Sequence, residues 1–248
     1  MELYLITGFL GAGKTTFLKN FARQFAGRRL RLIINEFGRA GVDGTLLREL
    51  DAALDEISNG SIFCACRLDQ FEAALEQAAA DAPDVVLVEA SGLADPTNVR
   101  RVLAQFPAVS YQGSVCVADA ARLEKVFSTA RACPRQLAVS SLVLLNKTDL
   151  ATEAQCAEAK ALILRANPAA RIRRTQFGRF EPEWLSLIVP DVDVDEVLDM
   201  PDITLQKAVL QIRPTMPLAA LQKCLVQLAG ETWRIKGFVR VPEGIFYV

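Results

Sequence analysis

An α/β fold, with a mostly parallel sheet covered by helices and a small α+β domain at the C-terminal end, is what this 248-residue chain predicts. Three observations carry that expectation. Short apolar runs at 3–6, 30–34, 85–88, 115–118 and 142–145 alternate with stretches of helical spacing. A glycine-rich turn joins the first run directly to the first helical stretch. The pattern then changes beyond an acidic, proline-bearing stretch at 188–203. Strands that alternate with helices imply right-handed crossovers, and so a parallel sheet with helices on its faces.

The elements follow in order. Residues 3–6 read as a short buried strand, and Phe17, Leu18, Phe21 and Phe25 fall at helical spacing after the turn. Leu68, Phe71, Leu75 and Ala78 share one face of a helix over 68–79. A helix over 152–166 opens at Thr152, a suitable cap, and closes before Asn167-Pro168. The α/β unit is expected to span 1–187. The stretch 188–203 holds six acids, two prolines and no base, which reads as a linker. In the small domain expected at 204–248, residues 207–213 and 233–241 are strand-like. Leu218, Leu221, Leu225 and Leu228 share a helix face between them. A Pro242-Glu243-Gly244 turn leads into 245–248, where the chain stops inside an apolar run. Either the domain is truncated there or its last strand is an exposed edge.

Composition excludes several classes. Hydrophobic residues make up 51% and charged residues 23%, with a formal net charge of −1, which gives no case for nucleic acid or membrane partners. No apolar run approaches the ~20 residues of a spanning helix. The glycine-rich turn begins at Gly8, leaving no room for a signal peptide, so a cytoplasmic location is expected. Six cysteines (64, 66, 116, 133, 156 and 224) are then expected to be mostly reduced, with Cys116, Cys133, Cys156 and Cys224 as small core residues. Histidine is absent. Any metal site within the chain must use thiolate and oxygen ligands, and no imidazole is available as a general base.

The turn itself carries the first piece of chemistry. Gly8-Phe9-Leu10-Gly11-Ala12-Gly13-Lys14-Thr15-Thr16 fits the phosphate-loop pattern G-x-x-x-x-G-K-[ST] and lies between a strand and a helix, as that pattern must. Glycines let backbone N–H groups turn inward around phosphate oxygens at a helix N-terminus, whose dipole favours anions. Residues 11–16 (Gly11, Ala12, Gly13, Lys14, Thr15 and Thr16) are therefore expected to hold nucleotide phosphates. Lys14 can reach the β- and γ-phosphates, and the Thr15 hydroxyl can ligate Mg²⁺. A P-loop NTPase is the fold expected.

Asn146-Lys147-Thr148-Asp149 directly follows the run at 142–145, at the strand end where open α/β sheets bind ligands. Asp149 can accept both N1–H and N2–H of guanine, a donor pair that adenine lacks. Lys147 can lay its stem along the base, and Asn146 can brace the loops. The run 84–88 ends in the acid Glu89, followed by Ala90-Ser91-Gly92. Glu89 can act on a magnesium-bound or attacking water, and Gly92 can bring its N–H to the γ-phosphate. The segment 35–44, with Glu36 and Asp43, suits a loop that orders around Mg²⁺ and the γ-phosphate. Cys64-Ala65-Cys66 offers two thiols that can touch one ion, although the spacing of a lone C-x-C by itself favours a structural role.

Together, GFLGAGKTT at 8–16, NEFG at 35–38, EASGLADP at 89–96 and NKTD at 146–149 resemble the CobW-type GTPases, relatives of the HypB and UreG nickel-insertion GTPases. Trp233-Arg234-Ile235-Lys236-Gly237 resembles the RxKG stretch of that family's small C-terminal domain. The resemblance implies a GTP-hydrolysing metallochaperone that delivers a transition metal, zinc or cobalt, to a client protein or cofactor pathway, with GTP-dependent homodimerisation as a further expectation. One departure stands out. Where the family shows N-G-C-x-C-C, this chain reads Asn59-Gly60-Ser61-Ile62-Phe63-Cys64, with Cys66 two positions on. The resemblance makes Cys64, Cys66 and Glu36 the expected ligands of Zn²⁺ or another thiophilic ion. Lys14, Glu89 and Asp43 are the expected catalytic residues, with slow intrinsic hydrolysis of GTP to GDP. Two alternatives stay open at this level: a regulatory GTP-binding switch without a transition metal, and a small-molecule kinase. The guanine-type NKTD loop argues against the kinase.

Overall fold

Seven parallel strands form the sheet of the larger unit, in the order β3-β2-β4-β1-β5-β6-β7. The computed structural model describes residues 1–36, 52–58, 62–63, 68–190, 216–231, 235 and 237–248. The chain divides into two units, Met1–Ile203 and Thr204–Val248.

In the first unit the strands are β1 Glu2–Thr7, β2 Leu30–Glu36, β3 Ala53–Ser58, β4 Val85–Glu89, β5 Ser110–Asp119, β6 Leu142–Asn146 and β7 Arg171–Arg174. The helices are α1 Lys14–Ala22, α2 Leu68–Asp81, α3 Val99–Leu103, α4 Leu123–Thr129, α5 Ala132–Ala138 and α6 Glu153–Ala166. Alternation along β1 explains the two-sided core. Tyr4 and Ile6 join a cluster with Phe17, Phe21, Leu32 and Phe180, while Leu3 and Leu5 join one with Ile33, Phe71, Leu75 and Val88. Strands covered on both faces read as continuous apolar runs, which is why the five central ones were visible in the sequence. The edge strands β3 and β7 were not. Arg171, Arg173 and Arg174 give β7 no apolar signature; its ends, Arg171 and Arg174, are exposed and its middle is only partly buried.

Thr152 caps α6 as expected, in a reciprocal box. Its hydroxyl accepts from Gln155 N at 3.2 Å, and Gln155 Oε1 accepts from Thr152 N at 2.8 Å. Cys116, Cys133 and Cys156 are buried in the core and Cys224 is half-buried. Burial pushes the Cys116 thiol up to about 12 and raises that of Cys133 as well.

In the second unit, α7 (Leu218–Glu231) holds Leu221 at 1% exposure. β8 (Phe238–Val241) pairs antiparallel with β9 (Gly244–Tyr247). Gly244, at φ 145, takes a backbone conformation that side chains rarely adopt, at the turn predicted from Pro242-Glu243-Gly244. The strand expected at 207–213 lies outside the described residues, as do 191–203 of the acidic stretch and Trp233, Arg234 and Lys236. Among the described residues, no helix is long and apolar enough to cross a membrane.

Candidate nucleotide-binding site

Central strand β1 has β4 on one side and β5 on the other, so their C-terminal ends converge on one crevice. The chain turns there through Gly8, Gly11 and Gly13, all at positive φ (133, 76 and 103). A Cβ on Gly8 would lie 2.2 Å from Val117 O, so the loop cannot sit this close to β5 with any other residue. A Cβ on Gly11 would meet nothing within 4 Å, which marks that side of the loop as open. Gly13 caps α1 without a side-chain hydrogen bond, and no acid occupies the first turn. The N-terminal N–H groups of α1 are therefore not satisfied by a cap, and their dipole favours an anion. Lys14 is buried and donates from Nζ to Phe9 O at 3.3 Å. Thr15 Oγ1 donates to Glu89 Oε1 at 3.2 Å, uniting the phosphate loop with the acid at the end of β4.

The base-side loop is tied to the phosphate loop through two side chains. Asn146, buried, donates from Nδ2 to Ala12 O at 2.9 Å and accepts at Oδ1 from Gly178 N at 3.0 Å. Lys147, at φ 60, donates from Nζ to Gly11 O at 2.6 Å and to Asp119 Oδ2 at 2.7 Å. Asp149 is exposed on the following 3-10 turn, Thr148–Leu150. Thr148 reaches across to Thr175 O with its N–H at 3.3 Å and its hydroxyl at 3.1 Å. Asn20 of α1 holds the same far loop, donating to Phe177 O at 3.1 Å and Gly178 O at 2.9 Å.

Asp119, Asn20 and Gly178 were missed in the sequence. Asp119 had a signal: it closes the apolar run of β5 as Glu89 closes that of β4, and the register places it opposite Asn146. Gly178 carried none, because its role is set by a distant contact. A Cβ there would lie 2.7 Å from Phe17 N.

The segment after β4 lies against the phosphate loop. A Cβ on Gly92 would be 2.7 Å from Leu10 N, and Ser91 N donates to Asn35 Oδ1 at 3.3 Å. Three residues on, Asp95 pairs with Arg135 of α5 and accepts from the Thr97 hydroxyl at 2.7 Å. Burial disfavours the Asp95 carboxylate, but the Thr97 hydroxyl and the Arg135 guanidinium outweigh it and hold the group below the usual aspartate range.

The structure thus assembles Gly11, Ala12, Gly13, Lys14, Thr15, Glu89, Gly92, Asn146 and Lys147 around one crevice. Thr16 is exposed in the first turn of α1, and Asp149 stands on the base-side loop. The open face at Gly11, the uncapped α1 terminus and the buried lysine fit a nucleotide's phosphates, and the Thr15–Glu89 pair supplies oxygens of the kind Mg²⁺ takes. Asp43, Cys64 and Cys66 lie outside the described residues; the backbone of Glu36 ends β2, and its side chain is not described. Among the described residues, no group of three or more Cys, Asp or Glu is placed to hold a metal ion.

Comparison with known proteins agrees with this geometry. The family model described as CobW/HypB/UreG, nucleotide-binding domain, matches residues 2–174. A protein of Pseudomonas aeruginosa named zinc chaperone CobW is 32% identical over 206 residues, covering 68% of this chain and 55% of that protein. The zinc chaperone YeiR of Escherichia coli is 33% identical over 153 residues, covering 60% of this chain and 47% of its own length. The chain thus spans about half the length of these relatives. Among solved structures, the Zn(II)-bound YjiA GTPase from E. coli superposes with a TM-score of 0.56 at 19% identity, covering all of this chain (100%) and 86% of that one. The signal recognition particle receptor FtsY from Elizabethkingia anophelis, in complex with GDP, gives 0.51 at 15% identity, covering 77% and 64%. Both likenesses are of fold. The match of the family's nucleotide-binding domain over most of the chain places it plainly: this protein belongs to the CobW/HypB/UreG family.

Proposed function

We propose that this chain binds and hydrolyses GTP and couples the nucleotide cycle to carriage of a transition metal, zinc foremost, for delivery to a client metalloprotein or cofactor-assembly protein. The observation that carries the nucleotide half is Asn146, whose single amide joins the phosphate loop to the base-side loops through Ala12 O and Gly178 N. Support for the metal half comes from relatives named zinc chaperones and from the two thiols at Cys64 and Cys66.

The expected chemistry is phosphoryl transfer to water, in which the protein mainly positions groups and stabilises charge. Backbone N–H groups of 11–16 would cradle the phosphates. Lys14 would swing from Phe9 O onto the β- and γ-oxygens. Mg²⁺, held by Thr15 with Glu89 and Asp43 on its water side, would neutralise developing charge. Glu89 would orient the attacking water, Gly92 N–H would face the γ-phosphate, and Asp149 would accept from guanine over the stem of Lys147. No histidine is present to act as base, so intrinsic turnover is expected to be slow and to rise with a partner or with GTP-dependent dimerisation. Cys64, Cys66 and Glu36 would hold the cargo ion. The organisation proposed is a GTPase domain at 1–187, an acidic linker at 188–203 and a small C-terminal domain at 204–248.

The test is direct. Protein purified under reducing conditions is assayed for GDP and GTP-analogue binding, phosphate release and bound metal. Guanine-selective binding with zinc retained by the thiols is the expected result. Guanine-selective binding without any thiol-dependent metal would leave a plain GTPase switch and overturn the metallochaperone half.

A further inference from the structure

Helix α5 holds the segment that follows β4 by two adjacent residues. Gln136, 1% exposed, donates from Nε2 to Gly92 O at 3.2 Å and to Ala94 O at 3.0 Å. Beside it, Arg135 pairs with Asp95. The carbonyls of Gly92 and Ala94 are thus gripped from behind, while the front of Gly92 meets Leu10 of the phosphate loop. The grip is lopsided. Gln136 Oε1 is buried and accepts no hydrogen bond, so the amide contributes only its donor end to this arrangement. A buried acceptor without a donor is unfavourable, and a side chain whose only task was to fill space would be met more cheaply by an apolar one.

The anchor of this grip continues beneath the phosphate loop. Gln136 O accepts from Ser140 Oγ at 2.8 Å. Ser140 Oγ lies 2.6 Å from Ser114 Oγ and 3.3 Å from Thr7 Oγ1, and Thr7 directly precedes Gly8. Thr7, Ser114 and Ser140 are all fully buried, at 0% exposure. One polar chain inside the core therefore runs from the base of the phosphate loop, through α5, to the carbonyls of Gly92 and Ala94.

We propose that Gln136 is a positioning residue: it holds residues 92–95 against Leu10 and so sets how strongly the protein distinguishes a nucleoside triphosphate from a diphosphate. This rests on the proposed guanine-nucleotide function. It goes beyond it by assigning the discrimination to a residue that touches no nucleotide. The mechanism is preorganisation. With both carbonyls fixed, Gly92 N–H is presented to the third phosphate without further ordering; without the amide, the segment must be ordered when the triphosphate binds. A diphosphate makes no such demand.

The experiment compares the full chain with Gln136→Met, which keeps the volume and removes both hydrogen bonds, and with Gln136→Glu, which keeps the shape and loses the donor when ionised. Dissociation constants are measured for GDP and for a non-hydrolysable GTP analogue with Mg²⁺, and amide hydrogen exchange is followed over 91–95 in nucleotide-free protein. Both variants should bind the analogue roughly tenfold more weakly, leave GDP within about twofold, and exchange 91–95 faster. Equal losses for both nucleotides, no loss for either, or unchanged exchange would each overturn the proposal. Retained GDP binding shows that a variant is folded. Should Gln136→Met fail to fold, Gln136→Glu at neutral pH carries the comparison alone. Failure of the native chain to bind any guanine nucleotide is a separate outcome: it removes the functional assignment on which the proposal stands, whatever the exchange data show.

Discussion

Asn146 lies so close to Gly13 that a Cβ on residue 13 would stand 2.6 Å from its Nδ2. The strand-end loop of β6 and the phosphate loop are fitted to one another through this contact, and the glycine is required by the neighbour as well as by its own φ of 103. Gly13→Ala should abolish nucleotide binding through local strain. Asn146→Ala, which leaves Ala12 O and Gly178 N without their buried partner, should cost about 2–3 kcal/mol of stability and at least ~10-fold in GDP affinity. Urea unfolding and nucleotide titration check this together. An unchanged unfolding midpoint for Asn146→Ala would show that the brace carries no weight.

The base preference should rest on Asp149. Guanine nucleotides are expected to bind at least ~100-fold tighter than adenine nucleotides, because a mismatched base leaves a donor–acceptor set unpaired at about 2–3 kcal/mol. Asp149 is exposed and makes no part of the core, so Asp149→Asn should erase much of the preference without affecting folding. Competition of GDP and ADP against a fluorescent guanine nucleotide measures it. Equal affinities in the native protein would remove the guanine assignment.

Turnover should depend on Lys14 more than on any titrating base. Intrinsic hydrolysis is expected to run well below ~1 per second, and Lys14→Ala should abolish it by removing the cation that meets the β- and γ-phosphates. Phosphate release from monomeric protein is the measurement, and fast turnover by the isolated monomer would contradict the absence of an activating group.

Central strands and the phosphate loop were legible because both are dictated locally. Double-sided burial forces continuous apolar runs such as 85–88, and a loop that wraps phosphate forces glycines at fixed spacing. The braces were illegible for the opposite reason. Gln136 and Asn20 are ordinary polar residues on helices, and their meaning comes from carbonyls 42 or 44 residues away for Gln136 and 157 or 158 for Asn20. Edge strand β3 was hidden by Asp55 and Glu56, which break its apolar pattern. Asp55 is there to pair with Arg31 of the neighbouring strand at 2.6 Å.

Acid should loosen the segment after β4. The Asp95 carboxyl is disfavoured by burial but more strongly favoured by Thr97 and Arg135, so its folded value lies below the ordinary 3.8. Its contribution to stability is therefore complete above that ordinary value and is lost as pH falls through the lower folded one, because the unfolded chain takes up the proton first. Asp95→Asn should be less stable than the native chain at neutral pH, with a shallower loss of stability below about pH 4. Unfolding midpoints across that range decide it. Parallel curves for the two proteins would show that Asp95 is not part of the acid response.

Metal and nucleotide should be coupled through Asn35. Its Oδ1 accepts from Ile62 N at 3.0 Å and from Ser91 N at 3.3 Å, while its Nδ2 donates to Ile57 O at 3.0 Å. One buried amide oxygen therefore joins the backbone two residues before Cys64 to the backbone next to Gly92. A displacement of Ser91 on meeting a γ-phosphate must be absorbed at Asn35, and Ile62 shares that bond. The expected coupling is ~1–3 kcal/mol, or about 5- to 150-fold in affinity, and by linkage zinc must alter GTP affinity by the same factor that GTP alters zinc affinity. Thiolate ligands must also release protons on binding, so zinc affinity should weaken as pH is lowered. The measurement is a Zn²⁺ titration of nucleotide-free, GDP-bound and analogue-bound protein, repeated with Cys64→Ser/Cys66→Ser and with Asn35→Ala. The double serine variant should lose zinc binding in every state. Asn35→Ala should keep zinc binding but bring the three states together. Zinc bound as tightly by the serine variant would place the site elsewhere, and equal affinity across the three states of the native chain would make the ion structural and end the case for nucleotide-gated delivery.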